Sequence, residues 1–263
     1  MLIERLWVGN SLRNFNYLLA CPESGEALAI DPLDHRSVLA LARDKGWQIT
    51  QILNTHEHHD HIGGNPAVVA ATGAKVIAHH GAAGRIPGVD RGVGAGDVIR
   101  VGKAVELECL DTPGHTLSHV CLLAHTEQPA LFSGDTLFNA GAGNVHNGGD
   151  VHALYRTFVD QLMRLPAATR VFPGHDYIEN NLAFSLSREP DNGDAAAWLE
   201  RVRGNDPARA AVTTLAQEWL FNSFFRLDNA RIIAGLRESF PDLPEAPDAE
   251  TVFTRLRELR NRW

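Results

Sequence analysis

Hydrophobic and polar residues alternate in short blocks over the first 180 residues, and this pattern predicts alternating strands and helices. Strands are predicted at residues 2–8, 16–21, 27–30, 51–54, 75–78, 98–101, 105–110, 119–124, 130–132 and 171–172. A turn at residues 22–25 and a stop at Asp31-Pro32 bound the first strands, which indicates an opening β-meander.

Apolar residues at helical spacing predict helices between these strands. One helix ends before Gly46, another has Asn65 as its cap and runs to Gly73, and a third is capped by Asp150. From Glu179 onward the pattern is almost only helical, with predicted segments at residues 195–202, 208–220, 230–238 and 249–260. The pattern therefore predicts an α/β region followed by a helical region.

Composition narrows the classes of protein that are possible. The 263 residues are 44% hydrophobic, and no run of about 18 apolar residues occurs, so neither a membrane span nor a signal peptide is expected. Three cysteines without a C-x-x-C spacing predict no disulfide framework and a reducing, cytoplasmic setting. A net charge of -8 argues against a nucleic-acid partner, because such partners are usually held by basic surfaces.

Candidate chemistry concentrates where strand-like runs end. His56, His58, Asp60 and His61 lie within six residues directly after an apolar run, on a loop that leads into a helix. Such strand-end loops project side chains into a common cleft. Three further candidates follow other strand-like runs beside a glycine: His115, Asp135 and His175.

This residue set indicates a metal site. A single histidine near an apolar strand is more often a hydrogen-bonded structural residue, but four ligand-type residues in six positions are not explained that way. Imidazole and carboxylate without thiolate favour zinc, iron or manganese over copper(I) or an iron–sulfur cluster. Five histidines lack such a context and are expected to play no part in it: His35, His79, His80, His125 and His152. His59 lies inside the cluster but should point away from its neighbours if the alternating residues converge.

The motifs THxHxDH, TPGHT, GDTLF and GHDY resemble those of the metallo-β-lactamase fold hydrolases, and within them the hydroxyacylglutathione hydrolases, or glyoxalase II family. The resemblance implies an α/β fold, an αββα sandwich with a catalytic domain at residues 1–180 and a helical substrate-binding region at residues 181–263. It also implies two divalent metal ions per chain, with zinc as the first choice and iron or manganese as alternatives. The implied ligands are His56, His58 and His115 for one ion, Asp60, His61 and His175 for the other, and Asp135 as a bridge. The catalytic carboxylates are then Asp60 and Asp135.

The C-terminal part resembles the glyoxalase II family at residues 213–226 and 253–263. This implies that Tyr177, Arg257 and Arg260 contact the glycine carboxylate of glutathione. Arginines three apart share one helical face and can form charge-assisted bonds with a carboxylate, although a solvated basic face is the plainer alternative. Asn144 and His146 stand where the family has basic and aromatic residues that contact the thiol side of the substrate. This difference weakens the prediction that the chain binds that part of glutathione in the family's way.

The predicted function is metal-dependent hydrolysis of S-(2-hydroxyacyl)glutathione thioesters such as S-D-lactoylglutathione, giving a 2-hydroxy acid and glutathione. The predicted partner is this small molecule alone, with no nucleic acid and no membrane, and the chain is expected to be a monomer. Three alternatives stay open: an iron-dependent persulfide dioxygenase, which lacks a long C-terminal helical region; a hydrolase of another thioester or a lactone; and a binding protein without activity, which would have lost ligands.

Overall fold

A computed structural model describes residues 1–263 and contains two six-stranded sheets and a small hairpin. The first sheet has the order β1 (Leu2–Trp7), β2 (Phe15–Ala20), β3 (Glu26–Ile30), β4 (Gln48–Asn54), β5 (Lys75–His79) and β6 (Val89–Val93). The strands of the second sheet are β7 (Val98–Val101), β8 (Val105–Asp111), β9 (Val120–Ala124), β10 (Ala130–Gly134), β13 (Arg170–Pro173) and β14 (Thr213–Thr214), in the order β14-β13-β10-β9-β8-β7. The hairpin pairs β11 (Leu137–Phe138) with β12 (Gly141–Ala142).

Strand direction brings several strand ends to one edge of the sandwich. Strands β1 to β3 form the predicted antiparallel meander, and β3 to β6 are parallel. In the second sheet β7 to β10 are antiparallel neighbours, and β13 is parallel to β10. Strands β8, β10 and β13 therefore run in the same direction, so that the loops after them lie at the same edge.

Nine helices flank the sheets: α1 (His35–Lys45), α2 (His59–Ile62), α3 (Asn65–Thr72), α4 (Val151–Asp160), α5 (Ile178–Arg188), α6 (Gly193–Val202), α7 (Leu215–Phe221), α8 (Ala230–Ser239) and α9 (Ala249–Arg260). As predicted, Asp150 caps α4, because its side chain accepts a hydrogen bond from the N–H of Ala153. None of these helices combines the length and apolarity that crossing a membrane would require.

Three buried apolar layers explain why the sheets stack. Alternate residues of a strand face opposite sides, so Leu122 packs between the two sheets while Leu123 faces the helices outside the second sheet. The central layer includes Phe15, Leu53 and Phe132. Helices α1 and α3 cover the first sheet, and α4, α8 and α9 cover the second. The predicted αββα sandwich with a C-terminal helical region is confirmed.

Two local predictions are wrong. Residues 208–220 do not form one helix, because Thr213 and Thr214 pair with β13 as an edge strand and α7 begins only at Leu215. The β-branched side chains at 212–214 favour a strand, and Thr214 with Gln217 forms a capping box that starts the helix. Asn65 is not the cap of α3, since Gly64 precedes the helix and the buried Asn65 amide pairs with Asn54.

The region after residue 180 packs against the second sheet and also adds β14 to it. The proposed division between residues 180 and 181 lies inside α5. Strand β6, a short and mostly exposed edge strand, was not predicted, because its residues VDRGV lack an apolar run.

Candidate metal centre

The seven predicted ligands meet at the edge where β4, β8, β10 and β13 end. They form three overlapping groups, each with its ligand atoms within 4.8 Å of one another. The groups are His56, His58 and His115; His56, His61 and Asp135; and Asp60, His61 and His175. Residues far apart in the chain thus supply one compact set of nitrogen and oxygen atoms.

Ring nitrogens in this set face one another. The Nδ1 atom of His58 lies 3.0 Å from Nε2 of His56 and 3.0 Å from Nε2 of His115. On the other side, Nε2 of His61 lies 3.2 Å from Nε2 of His175. Two nitrogens bound tetrahedrally to one zinc ion at about 2.0–2.1 Å are separated by roughly 3.3 Å, so the spacing fits a shared cation.

The remaining nitrogen of each imidazole has an acceptor as its partner, which sets the tautomer. Nδ1–H of His115 donates to the carbonyl of Asn144 at 2.7 Å, and Nδ1–H of His175 donates to the carbonyl of Leu12 at 2.7 Å. Nε2–H of His58 donates to a third carbonyl, that of residue 147, at 3.0 Å. A lone pair of each ring therefore points into the centre, as a metal ligand requires.

Asp31, which the sequence pattern had marked only as a strand stop, holds two parts of the site. Its Oδ2 accepts from the Thr55 hydroxyl at 2.7 Å and from Nδ1–H of His61 at 2.9 Å. Thr55 Oγ1 in turn accepts from Nδ1–H of His56 at 3.0 Å. Asp31 also adopts a left-handed conformation with φ 47°, uncommon for a residue other than glycine. Its position directly after a buried strand, like that of the ligands, was the available signal.

Asn14 and His119 are two further residues that the sequence reasoning missed. The fully buried Asn14 donates from Nδ2 to Oδ2 of Asp60 at 3.0 Å. The fully buried His119 accepts from the backbone N–H of Asp135 at 3.2 Å. Both hold a carboxylate ligand in place, but neither stands in a motif of ligand-type residues.

Asp135 lies between His115 on one side of the centre and His61 and His175 on the other. Its Oδ2 is 3.5 Å from Nε2 of His115 and 3.1 Å from Nε2 of His175, and its Oδ1 is 3.5 Å from Nε2 of His61. That Oδ1 is buried and accepts no hydrogen bond. The close approach also explains Gly174, where a Cβ atom would lie 2.3 Å from Oδ1 of Asp135.

The electrostatics fit positive charge at the centre. Burial lowers the pKa of His56 well below its usual value, and nearby His61 lowers it further, so His56 is a neutral ligand. Burial alone would raise the pKa of Asp135, but His175 and His61 outweigh it and hold the pKa well below its usual range. Burial opposes charge on His61 as well, but the carboxylates of Asp135 and Asp31 outweigh it and raise the His61 pKa well above its usual value. An ionised carboxylate without a hydrogen-bond partner, surrounded by imidazole nitrogens, is suited to a divalent cation.

The five predicted substrate contacts line one pocket of about 290 Å³: Asn144, His146, Tyr177, Arg257 and Arg260. Two residues of this pocket, Tyr177 and Asn144, also contact candidate metal ligands. The Tyr177 ring stacks on His175 with centroids 5.0 Å apart, and the Asn144 carbonyl binds His115.

The two arginines of this pocket have no carboxylate as a hydrogen-bond partner. Arg257 is 5% exposed and donates to the carbonyls of Ala142 and Gly143, and to Oδ1 of residue 261. Arg260 donates to the amide oxygen of Asn181. Because Arg257 is buried, the alternative of a solvated basic helix face is wrong for this residue.

Six further histidines lie outside the three groups of ligand atoms: His35, His59, His79, His80, His125 and His152. Of these, His59, His80, His125 and His152 are exposed. His79 is buried, and its Nε2 lies 3.3 Å from a carboxylate oxygen of Asp111.

Two family models match consecutive parts of the chain. The family model of the Metallo-beta-lactamase superfamily matches residues 15–175, and that of the Hydroxyacylglutathione hydrolase C-terminus matches residues 176–263. The chain is 73% identical to the Hydroxyacylglutathione hydrolase of Polaromonas sp. over 263 residues, covering 100% of both chains.

Two solved structures share the fold over most of their length. ETHE1 from Myxococcus xanthus has a TM-score of 0.69 and 25% identity, covering 99% of this chain and 98% of that chain. TTHA1623, solved in a di-iron-bound form, has a TM-score of 0.60 and 27% identity, covering 84% of this chain and 99% of that chain.

Proposed function

The chain belongs to the hydroxyacylglutathione hydrolase family of the metallo-β-lactamase superfamily, and from this premise we infer that it hydrolyses S-(2-hydroxyacyl)glutathione thioesters. S-D-lactoylglutathione is the expected representative, giving D-lactate and glutathione. The match of residues 176–263 to the family's C-terminal part favours hydrolysis over the persulfide dioxygenase alternative.

One observation carries the substrate assignment: a pocket with two arginines that lack a carboxylate partner opens beside the candidate metal centre. A cation out of water is stabilised when an anion pairs with it, so the pocket suits a carboxylate. The glycine end of glutathione supplies that carboxylate, and the thioester then lies on the metal side of Tyr177. Residues 181–263 thus act as the substrate-binding region and residues 1–180 as the catalytic domain.

Two of the three groups of ligand atoms would each hold one ion, which supports two ions per chain. His56, His58 and His115 would hold one ion, Asp60, His61 and His175 the other, and Asp135 would contact both. Zinc suits an imidazole-rich set of ligands, and iron or manganese are the alternatives. The di-iron form of TTHA1623 supports a dinuclear centre on this fold.

Divalent ions, when bound, lower the pKa of a water molecule towards neutrality and polarise a carbonyl group. We propose that Asp60 forms a hydrogen bond with the attacking water, because it is the more exposed of the two carboxylates, with 23% of its side chain accessible. Asn14 orients that carboxylate. The leaving glutathione thiolate has a thiol pKa of about 8.5, so no dedicated general acid is required.

Asn144 and His146 form the part of the pocket that departs from the family pattern. The side-chain oxygen of Asn144 accepts from the backbone N–H of His146 at 3.2 Å, and the His146 side chain is exposed. We propose that both residues contact the thiol side of the substrate through neutral groups, which gives a weaker grip than a basic residue would.

A thioester panel on metal-analysed protein tests this function. S-D-lactoylglutathione should be hydrolysed with the highest kcat/KM, ahead of lactoyl thioesters of other thiols and of lactones. Asp135→Asn should lose metal and turnover together, because it removes the carboxylate between the two groups. Oxygen uptake with glutathione persulfide, or full activity of metal-free protein, would contradict the proposal.

We also propose a monomer in a reducing, cytoplasmic compartment. All three cysteines are buried and unpaired, as is usual where thiols stay reduced. Light scattering coupled to gel filtration should give the mass of one chain; a stable dimer would contradict the monomer.

A further inference from the structure

Residues 139–143 lie between Asp135 and Asn144 in the chain, and side chains of the C-terminal region hydrogen-bond to the backbone of this segment. Asn181 Nδ2 donates to the carbonyl of Asn139 at 3.0 Å, and the N–H of Ala140 donates to Glu218 Oε2 at 2.8 Å. Asn222 Nδ2 donates to the carbonyl of Gly141 at 3.3 Å. Arg257 Nη1 donates to the carbonyls of Ala142 at 2.6 Å and Gly143 at 3.1 Å. Four side chains from beyond residue 180 therefore determine the course of a segment between the candidate ligand Asp135 and Asn144, whose carbonyl binds the candidate ligand His115.

The end of this segment is tightly confined. Gly143 donates its N–H to the carbonyl of Thr136 at 3.1 Å, and a Cβ atom at Gly143 would lie 1.9 Å from the carbonyl oxygen of Asp135. The next residue, Asn144, offers the carbonyl that accepts Nδ1–H of His115 at 2.7 Å. A shift of residues 142–144 therefore moves the acceptor that orients the His115 ring.

We infer that Arg257 is a positioning residue for the metal centre, acting through Ala142, Gly143 and Asn144 on His115. Its Nη1 binds two consecutive carbonyls directly before Asn144, and its Nε is held by Asn261 at 3.0 Å. The side chain is almost fully buried, so these charge-assisted bonds are made out of water. This role is additional to any contact with substrate.

Arg260 provides a matched control on the same helix. It lines the same pocket and carries the same charge. Its guanidinium hydrogen-bonds only Asn181, which holds the start of the segment at Asn139, and it touches no carbonyl of residues 141–144 next to His115. If the arginines acted on the substrate alone, the two alanine variants would behave alike towards metal. If Arg257 positions His115, only its variant changes metal binding.

The test measures zinc affinity of the full-length protein in the absence of substrate, by competition with a chromophoric chelator. Arg257→Ala should weaken binding of at least one zinc ion by roughly 10- to 100-fold, the usual effect of removing a group that orients a ligand. Arg260→Ala should leave affinity unchanged. Hydrogen exchange on chelator-treated protein should show faster exchange at residues 139–146 in Arg257→Ala than in wild type.

Arg257→Lys tests the same role with the charge retained. Its ammonium ends nearer the helix than Nη1 and lacks the planar fork, so a smaller loss of zinc affinity is expected. Should the alanine variant fail to fold, the lysine variant decides by itself. The positioning role would be overturned if the Arg257 variants kept the zinc affinity and the hydrogen-exchange rates of the wild type and differed from it only in KM. That outcome would leave the proposed hydrolase activity unaffected.

Discussion

At the scale of single residues, the metal centre depends on groups that hold the ligands rather than on the ligands alone. Each imidazole has one nitrogen engaged by a carbonyl, a carboxylate or a hydroxyl, so that its lone pair faces the centre. Asp31 acts on two ligands at once, because one oxygen accepts from His61 and from Thr55, which in turn holds His56. Hydrogen bonds within the protein therefore orient the candidate ligands.

Asp31→Asn should weaken zinc binding by roughly 10- to 100-fold, because an amide nitrogen placed at Oδ2 would face two donors instead of accepting from them. Chelator competition measures the loss, and excess zinc should restore the metal content. Asp34→Asn is a suitable control, since Asp34 caps α1 and touches no ligand. Unchanged affinity in Asp31→Asn would contradict this account of His61.

Arg260→Ala should raise KM for S-D-lactoylglutathione and leave kcat and metal content nearly unchanged, because a contact to the unreacting end of a substrate contributes uniform binding. A lost hydrogen bond between charged groups corresponds to about 1.5 to 3 kcal/mol. The matched substrate is a lactoyl thioester of glutathione whose glycine carboxylate is amidated. Its KM should not differ between wild type and variant; an equal loss with both substrates would argue against the carboxylate contact.

At the scale of elements, α7 links the hairpin of β11 and β12 to the C-terminal helices through Glu218. This fully buried carboxylate accepts from the N–H of Ala140 and from Nδ2 of Asn222, both at 2.8 Å, and from the hydroxyl of Thr213 at 2.5 Å. Burial raises the pKa of Glu218 to about 7, although its hydrogen-bond donors act in the opposite direction. An acid in this position makes the stability of the fold depend on pH.

The direction of this dependence follows from proton binding. Between the unfolded pKa of about 4.5 and the folded pKa of about 7, the folded state keeps a proton that the unfolded state has lost. The contribution of Glu218 to the free energy of unfolding is therefore fully present below pH 4.5 and falls by about 3 kcal/mol as the pH rises to 7. Glu218→Gln should lack this fall.

Chemical unfolding of chelator-treated wild type and Glu218→Gln between pH 5 and 8 measures the effect. The difference in unfolding free energy, wild type minus variant, should decrease as the pH rises. A difference independent of pH would contradict a protonated Glu218. Glu238→Gln, a change to the last turn of α8, is the control for general effects of charge.

At the scale of the whole molecule, two sheets and separate regions of the chain converge on one site, so bound ions should hold the molecule together. Ions that bind only the folded state add about 4 kcal/mol each when present at a thousandfold excess over Kd. For a chain of this length, chelation should lower Tm by on the order of 10 °C.

Calorimetry of metal-loaded and chelator-treated protein tests this, with zinc added back as the reversal. Asp135→Asn should show a low Tm that zinc does not raise to the same extent. A Tm unaffected by chelation in the wild type would indicate that the centre forms no structural link between the sheets.

Much of this protein could be predicted from the order of its residues alone. The alternation of strands and helices, the opening meander and the boundaries of α9 follow from apolar spacing, which is a local property of the chain. The αββα sandwich was predicted from the resemblance of the motifs to a known family. The seven ligand-type residues could be found because each follows a strand end beside a glycine or a second ligand, and the structure brings all seven together. Family membership follows from the same motifs.

Other features were decided only by tertiary structure. Residues 213–214 have β-branched side chains that favour a strand, but only the edge of β13 provides the partner that makes them one. Asp31, Asn14 and His119 have no motif to mark them, since their importance lies in hydrogen bonds to residues from 16 to 46 positions away. Arg257 likewise meets Ala142 across 115 residues. Sequence spacing encodes the direction of a side chain within its own element, but which polar groups meet depends on how the elements pack.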